Sequence, residues 1–366
     1  MAEAAALALI ERLAATPRAA GSVEESRARA VCAELLRERG FETRDVPFSY
    51  STLPGRWGVP LVGAVWLAAG IAAARTGMRP PGEAAADIVF SLIMVGWLAS
   101  LTLGLTVSNG RFHRKSGVNL VATRGREPAI WLCAHLDTKS QTVPTLARTV
   151  ALVAAGAAAL VLAVVHMADR LAGWGGGPVW VAAGTVLASA AAVMVTCVVG
   201  NASPGAADNA SGVAAVLATA GSTGQSPLGV ILTSAEELGL AGARAWAASA
   251  VMSGNTPSLI INCDTLDGEG TMRCVVHRRE DVTTARELVT LARNEGFAAK
   301  MIRHTPGIMV DSAAFAARGI PAVTLSRVTS GTLGRIHTPR DTADRLNGQG
   351  AAQAAAVMSA FVRKYG

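Results

Sequence analysis

The sequence predicts an α/β sandwich around a mostly parallel or mixed sheet, interrupted by four membrane-spanning helices arranged as two hairpins. Three observations point there. Apolar strand-like runs alternate with amphipathic helix patterns over most of the chain. Four uncharged stretches, each close to the ~20 residues that a hydrocarbon core requires, break that alternation. The composition also lies between two classes, with 51% of 366 residues hydrophobic, 16% charged and a mean hydropathy of +0.37. That is too apolar for an ordinary soluble enzyme and too polar for a pure transporter.

Taken in order, residues 4–16 and 23–39 carry helix periodicity, and Gly40 stops the second of them. Residues 41–50, 118–123 and 130–135 read as the first three strands. A short turn at 124–127 joins the second and third, which predicts an antiparallel pair. Further strands are expected at 229–234, 258–263, 272–276 and 321–326, with helices between them. The uncharged stretches fall at 57–74, 88–107, 149–168 and 178–199. The expected organisation is a discontinuous soluble domain of residues 1–55, 112–145 and 200–366, with hairpins at 57–107 and 149–199.

The net charge of +7 does not indicate a nucleic-acid partner, because the basic residues are scattered and aromatics make up only 4%. The five cysteines, Cys32, Cys133, Cys197, Cys263 and Cys274, form no CxxC pair. They are expected as small buried hydrophobes in a reducing compartment, not as a thiolate site or a disulfide framework. The start, with Glu3 and Glu11 among alanines, lacks a basic region and a cleavage site, so no signal peptide is expected.

Five motifs carry candidate chemistry. In Cys133-Ala134-His135-Leu136-Asp137, residues two apart on a strand share a face, so His135 and Asp137 project together at its end. A metal-binding histidine commonly donates its second ring N–H to such a carboxylate, although a structural hydrogen bond explains the pair as well. Asp208-Asn209-Ala210-Ser211-Gly212 opens a helical run, where Asp208 could bridge two cations or simply cap the helix. Strand 229–234 runs into Glu236-Glu237, adjacent carboxylates suited to a ligand and a general base, or to a solvated helix start. Strand 258–263 leads to Asp264, and His337-Thr338-Pro339-Arg340-Asp341-Thr342 supplies a second histidine. Several candidates lie at carboxyl ends of strands, where open α/β sheets place their ligand sites.

This order of motifs resembles the dizinc aminopeptidases of peptidase family M28, whose relatives include glutamate carboxypeptidase-like enzymes and glutaminyl cyclases. The resemblance extends to Thr16-Pro17-Arg18-Ala19-Ala20-Gly21-Ser22 and to Asp311-Ser312-Ala313-Ala314-Phe315. It implies a three-layer zinc-exopeptidase sandwich with a mixed sheet and two Zn²⁺ ions, Co²⁺ or Mn²⁺ being possible substitutes. By the same resemblance Asp208 bridges the ions, His135 and Asp264 complete one site, and Glu237 and His337 complete the other. Glu236 is then the general base, Asp137 the partner of His135, and the Asp208–Asn209 bond cis. Four convergent negative charges against two divalent cations agree with that assignment. His304-Thr305-Pro306 repeats the His-Thr-Pro pattern but lacks the x-Asp-Thr that follows His337. With Asp311 and Ser312, which stands where many relatives carry histidine, His304 is an expected pocket residue. His113, His166 and His277 are expected at the surface or the membrane interface.

The implied activity is metal-assisted release of N-terminal residues from peptides. Alternatives are an amidase or glutaminyl cyclase acting on hydrophobic or lipidated amides, and a non-catalytic membrane receptor or scaffold. Arg56, Arg111, Arg114, Lys115, Lys139 and Arg148 flank the apolar stretches on the enzyme side, against Arg75, Arg79 and Arg170 opposite. The positive-inside rule then puts the enzyme domain and both termini in the cytoplasm. If the first strand also pairs antiparallel with the second, both hairpins leave from the sheet edge bearing His135. The expected partners are then the bilayer and hydrophobic or membrane-associated peptides; no oligomeric state follows.

Overall fold

The computed structural model describes residues 2–76, 86–98, 113–174, 176–303 and 309–366. The chain divides into two compact units: Met1–Tyr50, Arg114–Ser140 and Asn201–Gly366 form one, and Ser51–His113 with Gln141–Gly200 form the other.

The larger unit begins with α1 (Ala2–Leu13), α2 (Val23–Arg37) and β1 (Glu42–Ser51). Ser22 starts α2 by accepting a hydrogen bond from the Glu25 amide at 3.1 Å, while the Glu25 carboxylate takes the Gly21 amide at 2.6 Å. Gly40, at φ +77°, ends it in the left-handed conformation that glycine adopts without steric cost. After the first apolar insertion, which contains α3 (Leu53–Thr76) and α4 (Ala86–Leu98), come β2 (Arg114–Arg124), β3 (Ile130–His135) and β4 (Ser140–Gln141). The second insertion holds α5 (Thr145–Ala172), α6 (Gly177–Val195) and β5 (Val199–Gly200). The chain then makes α7 (Ser211–Ser222), β6 (Leu228–Thr233), α8 (Ala241–Met252), β7 (Leu259–Leu266) and β8 (Met272–Val276). It closes with α9 (Val282–Asn294), β9 (Ala299–Arg303), α10 (Asp311–Ala316), β10 (Ala322–Arg327), α11 (Ser330–Arg335) and α12 (Gln349–Tyr365).

Eight strands form one mixed sheet in the order β1-β2-β6-β3-β7-β10-β8-β9. The four in the middle, β6, β3, β7 and β10, are parallel, while β2 runs antiparallel to β6 and β8 to β10. Alternation along these strands separates two cores. Leu120, Leu132, Val230, Leu232 and Ile261 pack with residues of α1, α2, α7, α9 and α12. Val121, Cys133, Ile231 and Ile260 pack with Trp246 of α8 and Phe315 of α10. Helices therefore cover both faces, giving three layers, and the central strands are buried on both sides as their near-continuous apolar sequences require.

Two expectations need correction. The strands at 118–123 and 130–135 do run in opposite directions but are not partners, because β6 lies between them: Val121 pairs with Ile231, and Cys133 pairs with the same residue from the other side. A short connection favours a hairpin locally, but the long-range parallel pairing of two fully apolar strands overrides it. The sequence reading also missed β9, which extends the sheet beside β8 with Met301 opposite Cys274.

The smaller unit has three helices long and apolar enough to cross a membrane, covering Leu53–Arg75, Thr145–Ala172 and Gly177–Val195. A fourth apolar helix, Ala86–Leu98, is shorter; the remainder of the expected span 88–107, together with Arg79 and Arg111, lies outside the described residues. Small residues let α3 and α6 approach: a Cβ on Gly70 would meet the Ala188 amide at 2.5 Å, and one on Gly184 would meet the Ala74 amide at 2.6 Å. His166, expected at the surface or the membrane interface, is buried among the helices of this unit. Its ring stacks on Phe90 at 4.8 Å, and Nε2 lies 3.4 Å from Asp87.

Candidate metal centre

Parallel pairing brings the motif residues to one edge. His135 is the last residue of β3 and pairs with Thr233, the last of β6, three residues before Glu236. Next to β3 runs β7, which carries Asp264 beyond the paired Cys133 and Asn262. Asp208 sits in a kinked turn, Ala206–Ala210, leading into α7, with non-helical backbone at Asp208 and Asn209 and a cis bond between them. His337 follows α11. All six side chains, His135, Asp208, Glu236, Glu237, Asp264 and His337, are buried.

They form two groups, His135 with Glu236 and Asp264, and Asp208 with Glu237 and His337, and within each the donor atoms lie within 4.8 Å of one another. Asp208 faces both. Its Oδ1 is 3.1 Å from His135 Nε2, and its Oδ2 is 2.9 Å from His337 Nε2. His337 Nε2 is also 3.0 Å from Glu237 Oε1, whereas His135 Nε2 is 4.0 Å from both Glu236 and Asp264.

The loops bearing these groups are held by backbone-directed charges. The Asp137 carboxylate accepts hydrogen bonds from the amides of Glu236 and Glu237 at 3.0 and 3.2 Å. The His135 ring is oriented differently from the sequence expectation: Nδ1 is 2.9 Å from the Asp137 carbonyl and 3.8 Å from its carboxylate. Asp341 accepts from the amides of Ala207 and Asp208 at 2.8 and 3.1 Å. Arg18, fully buried, donates to the carbonyls of Leu13, Leu136, Pro204 and Gly205 at 2.6 to 3.0 Å. It thereby joins the end of β3 to the turn before Asp208. Gly205, at φ +63°, fits there because a Cβ would collide with the Thr138 side chain and the Asp208 carbonyl.

Three non-glycine residues next to or within the groups occupy the left-handed region: Ala235 (φ 56°), Thr265 (φ 54°) and His337 (φ 60°). Each such conformation costs roughly 1–3 kcal/mol, and such outliers cluster at functional sites. No motif predicted them. Lys139 was also read only as a membrane-flanking cation, yet its Nζ lies 2.7 Å from Glu237 Oε2.

The electrostatics are uneven. Burial opposes charge on Asp208, but hydrogen bonds from His135 and His337 hold its carboxyl well below the usual range. Burial likewise opposes charge on Glu237, and the nearby His337 and Lys139 charges nonetheless bring it down to about 2. Its neighbour Glu236 moves the other way. Burial raises it well above the ordinary value, and the charges of Glu237, Asp264 and Asp311 add to this against the opposing pull of His135. Burial and the Asp208 charge lift Asp264 to about 7. Adjacent carboxyls driven apart in this way are a mark of acid–base sites.

The residues present fit divalent cations. Four buried carboxylates converge on two imidazoles and one lysine, an excess of negative charge that low dielectric penalises unless cations offset it. The donors are nitrogen and oxygen without thiolate, as in catalytic zinc sites.

Of the expected pocket residues, Asp311 is buried, with Oδ2 accepting from Thr233 at 2.5 Å and Oδ1 without a hydrogen-bond partner among the described residues. Ser312 is 2.7 Å from His277 Nε2 and 2.5 Å from the Thr324 hydroxyl. His277 is thus a half-buried bonding partner rather than a surface residue, because β8 delivers it to the end of α10. His304 lies outside the described residues.

The three-layer fold and its paired donor groups define a class, the metallo-exopeptidases. Residues 188–362 match the family model of peptidase family M28. The match contains Asp208, Glu236, Glu237, Asp264 and His337. Among solved structures, an aminopeptidase from Aneurinibacillus sp. strain AM-1 superposes with a TM-score of 0.57 at 15% identity, covering 99% of this chain and 93% of that one. A zinc aminopeptidase from Bacillus subtilis gives 0.57 at 14% identity, with 99% and 94% covered. Glutaminyl cyclase from Porphyromonas gingivalis gives 0.60 at 12%, with 99% and 98% covered. At these identities the likeness is one of fold. No curated protein matches the sequence.

Proposed function

We propose that this chain is a membrane-inserted, two-zinc aminopeptidase that removes N-terminal residues from peptides, with Glu236 as general base. The observation that carries the reading is the placement of Asp208, one oxygen towards His135 and the other towards His337. In this reading His135, Asp208 and Asp264 hold one ion, and Asp208, Glu237 and His337 the other. Bound there, zinc supplies Lewis acidity to the scissile carbonyl and to the attacking water.

The chain's own residues do the rest. Glu236 takes a proton from the water and returns it to the leaving amine, a role suited to a buried carboxyl displaced from its acidic range. Asp137 fixes the backbone from which Glu236 and Glu237 project, and its carbonyl fixes the His135 tautomer with the proton on Nδ1. Arg18 and Asp341 hold the turn that presents Asp208.

Membrane insertion is supported by the three long apolar helices and by the outward face of α5, where Val150, Val153, Leu160, Val164 and Leu171 are exposed. Lipid is the natural covering for such a face. Ser140, the last residue of the larger unit before the second insertion, follows Asp137 by three positions. This attachment supports hydrophobic or membrane-associated N-termini as substrates. The flanking charges support four spans, with the enzyme domain and both termini cytoplasmic.

The test is a substrate panel on zinc-loaded protein in detergent: aminoacyl amides, peptides of graded hydrophobicity, acyl amides and N-terminal glutaminyl peptides. Release of N-terminal residues, favouring hydrophobic ones, is expected. Cyclisation of glutaminyl peptides, acyl-amide cleavage alone, or no turnover would replace the reading with the corresponding alternative. Labelling of introduced cysteines in intact cells would overturn the orientation if positions beside His337 react from outside.

A further inference from the structure

The two donor groups sit in different fields. Beside the His135 group lie two further carboxyl groups, Asp137, 3.8 Å from His135 Nδ1, and Asp311, whose charge acts on both Glu236 and Asp264. Beside the His337 group lies a cation. Lys139 Nζ is 2.7 Å from Glu237 Oε2 and 3.3 Å from the Glu237 carbonyl, while Glu237 Oε1 faces His337. The ammonium therefore takes the Glu237 oxygen that does not face the imidazole, and its charge also opposes charge on His337.

The contact is built, not incidental. The Lys139 side chain is only 13% exposed, and the backbone is fixed on either side of it. Thr138 exchanges hydrogen bonds with Arg18, its hydroxyl accepting from the Arg18 amide at 2.8 Å and its own amide donating to the Arg18 carbonyl at 3.0 Å. Ser140 accepts from the Ala202 amide at 2.9 Å. That frame fixes the point from which the Lys139 side chain reaches Glu237.

We propose that Lys139 holds the Asp208–Glu237–His337 group at lower affinity for a divalent ion than the His135 group, so that the ions load in order and the second one exchanges. The proposal rests on the metallopeptidase reading. A fixed positive charge next to a ligand carboxylate repels an incoming cation and withdraws electron density from the oxygen that must hold it. Burial keeps salt from screening the repulsion. Lys139 also aligns Glu237, which by itself favours binding. That alignment is shared with Asp137, which holds the Glu237 amide, and with His337, so repulsion outweighs it.

The test is zinc titration of the ion-free full-length chain in detergent against a chromophoric chelator, for wild type, Lys139→Met and Lys139→Arg, with circular dichroism to verify folding. Wild type should show two affinity classes. Lys139→Met should tighten the weaker class by about tenfold or more and leave the stronger unchanged. Lys139→Arg, which keeps the charge, should titrate like wild type. An unchanged or weakened second class in folded Lys139→Met refutes the proposal, as does tightening in Lys139→Arg equal to that in Lys139→Met. One ion in wild type and two in Lys139→Met supports it; one in both refutes it. Failure of both chains to bind any ion would bring down the metallopeptidase reading as well.

Discussion

Asp137→Asn separates two roles that a His-x-Asp motif leaves confounded. If the carboxylate serves the imidazole, the change should weaken the His135 group. The geometry gives that task to the Asp137 carbonyl, which asparagine retains, and gives the carboxylate to the amides of Glu236 and Glu237. Asparagine keeps one acceptor and turns its NH₂ towards the other amide, so one charge-assisted bond becomes a clash between donors. The loss is about 1.5–3 kcal/mol by comparison with hydrogen bonds to charged groups, or a factor of roughly 10–100 in affinity. Burial first, with the charges of Glu25 and Glu237, raises the Asp137 carboxyl to about 8 in the ion-free protein. The raised value means that this charge is less favourable in the ion-free form, so asparagine should cost less in thermal unfolding of the ion-free form than in zinc binding. Zinc titration with denaturation curves in both states reads all of this. Expected are a 10–100-fold weaker ion at the Glu237 group, a similar fall in kcat through Glu236, and a His135 group close to wild type. Loss confined to the His135 group would refute the argument.

Three further outcomes follow from the same geometry. Glu236→Gln should keep its zinc and lose about 10²–10⁴ in kcat, as removal of a general base does; near-normal turnover would remove Glu236 from the role. Arg18→Met removes the guanidinium from four carbonyls, leaving those of Leu13 and Leu136 buried without it while Gly205 keeps the Ala210 amide, and should cost about 2–6 kcal/mol in chemical denaturation; a change under about 1 kcal/mol would mean that the turn before Asp208 is held by other means. Zinc affinity should fall about tenfold per pH unit below 7, because an ion needs the charged form of Asp264, whose carboxyl keeps its proton up to about pH 7 in the ion-free site. By the same sign, that raised value makes the ion-free protein less stable as pH rises from about 4 to 7, which unfolding curves with and without zinc can check.

The sequence was most legible where an apolar run ends in a charged residue. Residues 130–135 were placed at their observed limits, since a strand covered on both faces has an apolar signature and an abrupt stop, and 272–276 likewise through its alternation of buried and half-buried residues. His135 is found at such a stop and Glu236 three residues beyond one, whereas Asp264 lies inside β7, two residues before its end. What could not be read depends on long-range pairing. Nothing local says that β6 separates β2 from β3, because all three have the same apolar character. Arg18 looks like a solvent-exposed arginine until four carbonyls from three separate segments converge on it. The left-handed conformations of Ala235, Thr265 and His337 leave no trace in residue type, since alanine, threonine and histidine are not turn formers.

The parts that escaped the sequence have a common physical role. Each ligand loop is fixed through its backbone by a buried charge: Asp137 takes the amides of 236 and 237, Asp341 those of 207 and 208, and Arg18 the carbonyls of 136, 204 and 205. Backbone anchoring frees the ligand side chains from supporting one another, so carboxylates that repel can still be held together. It also explains why the motifs contain more acids than two ions need. Asp137 and Asp341 are spent on amides, which leaves Asp208, Glu236, Glu237 and Asp264 for the two proposed ions. Among these, and among the described residues, Glu237 alone has an ammonium on its second oxygen. An arrangement symmetrical in its ligands is therefore asymmetrical in its field, and the order in which ions enter is set by a residue that belongs to neither group.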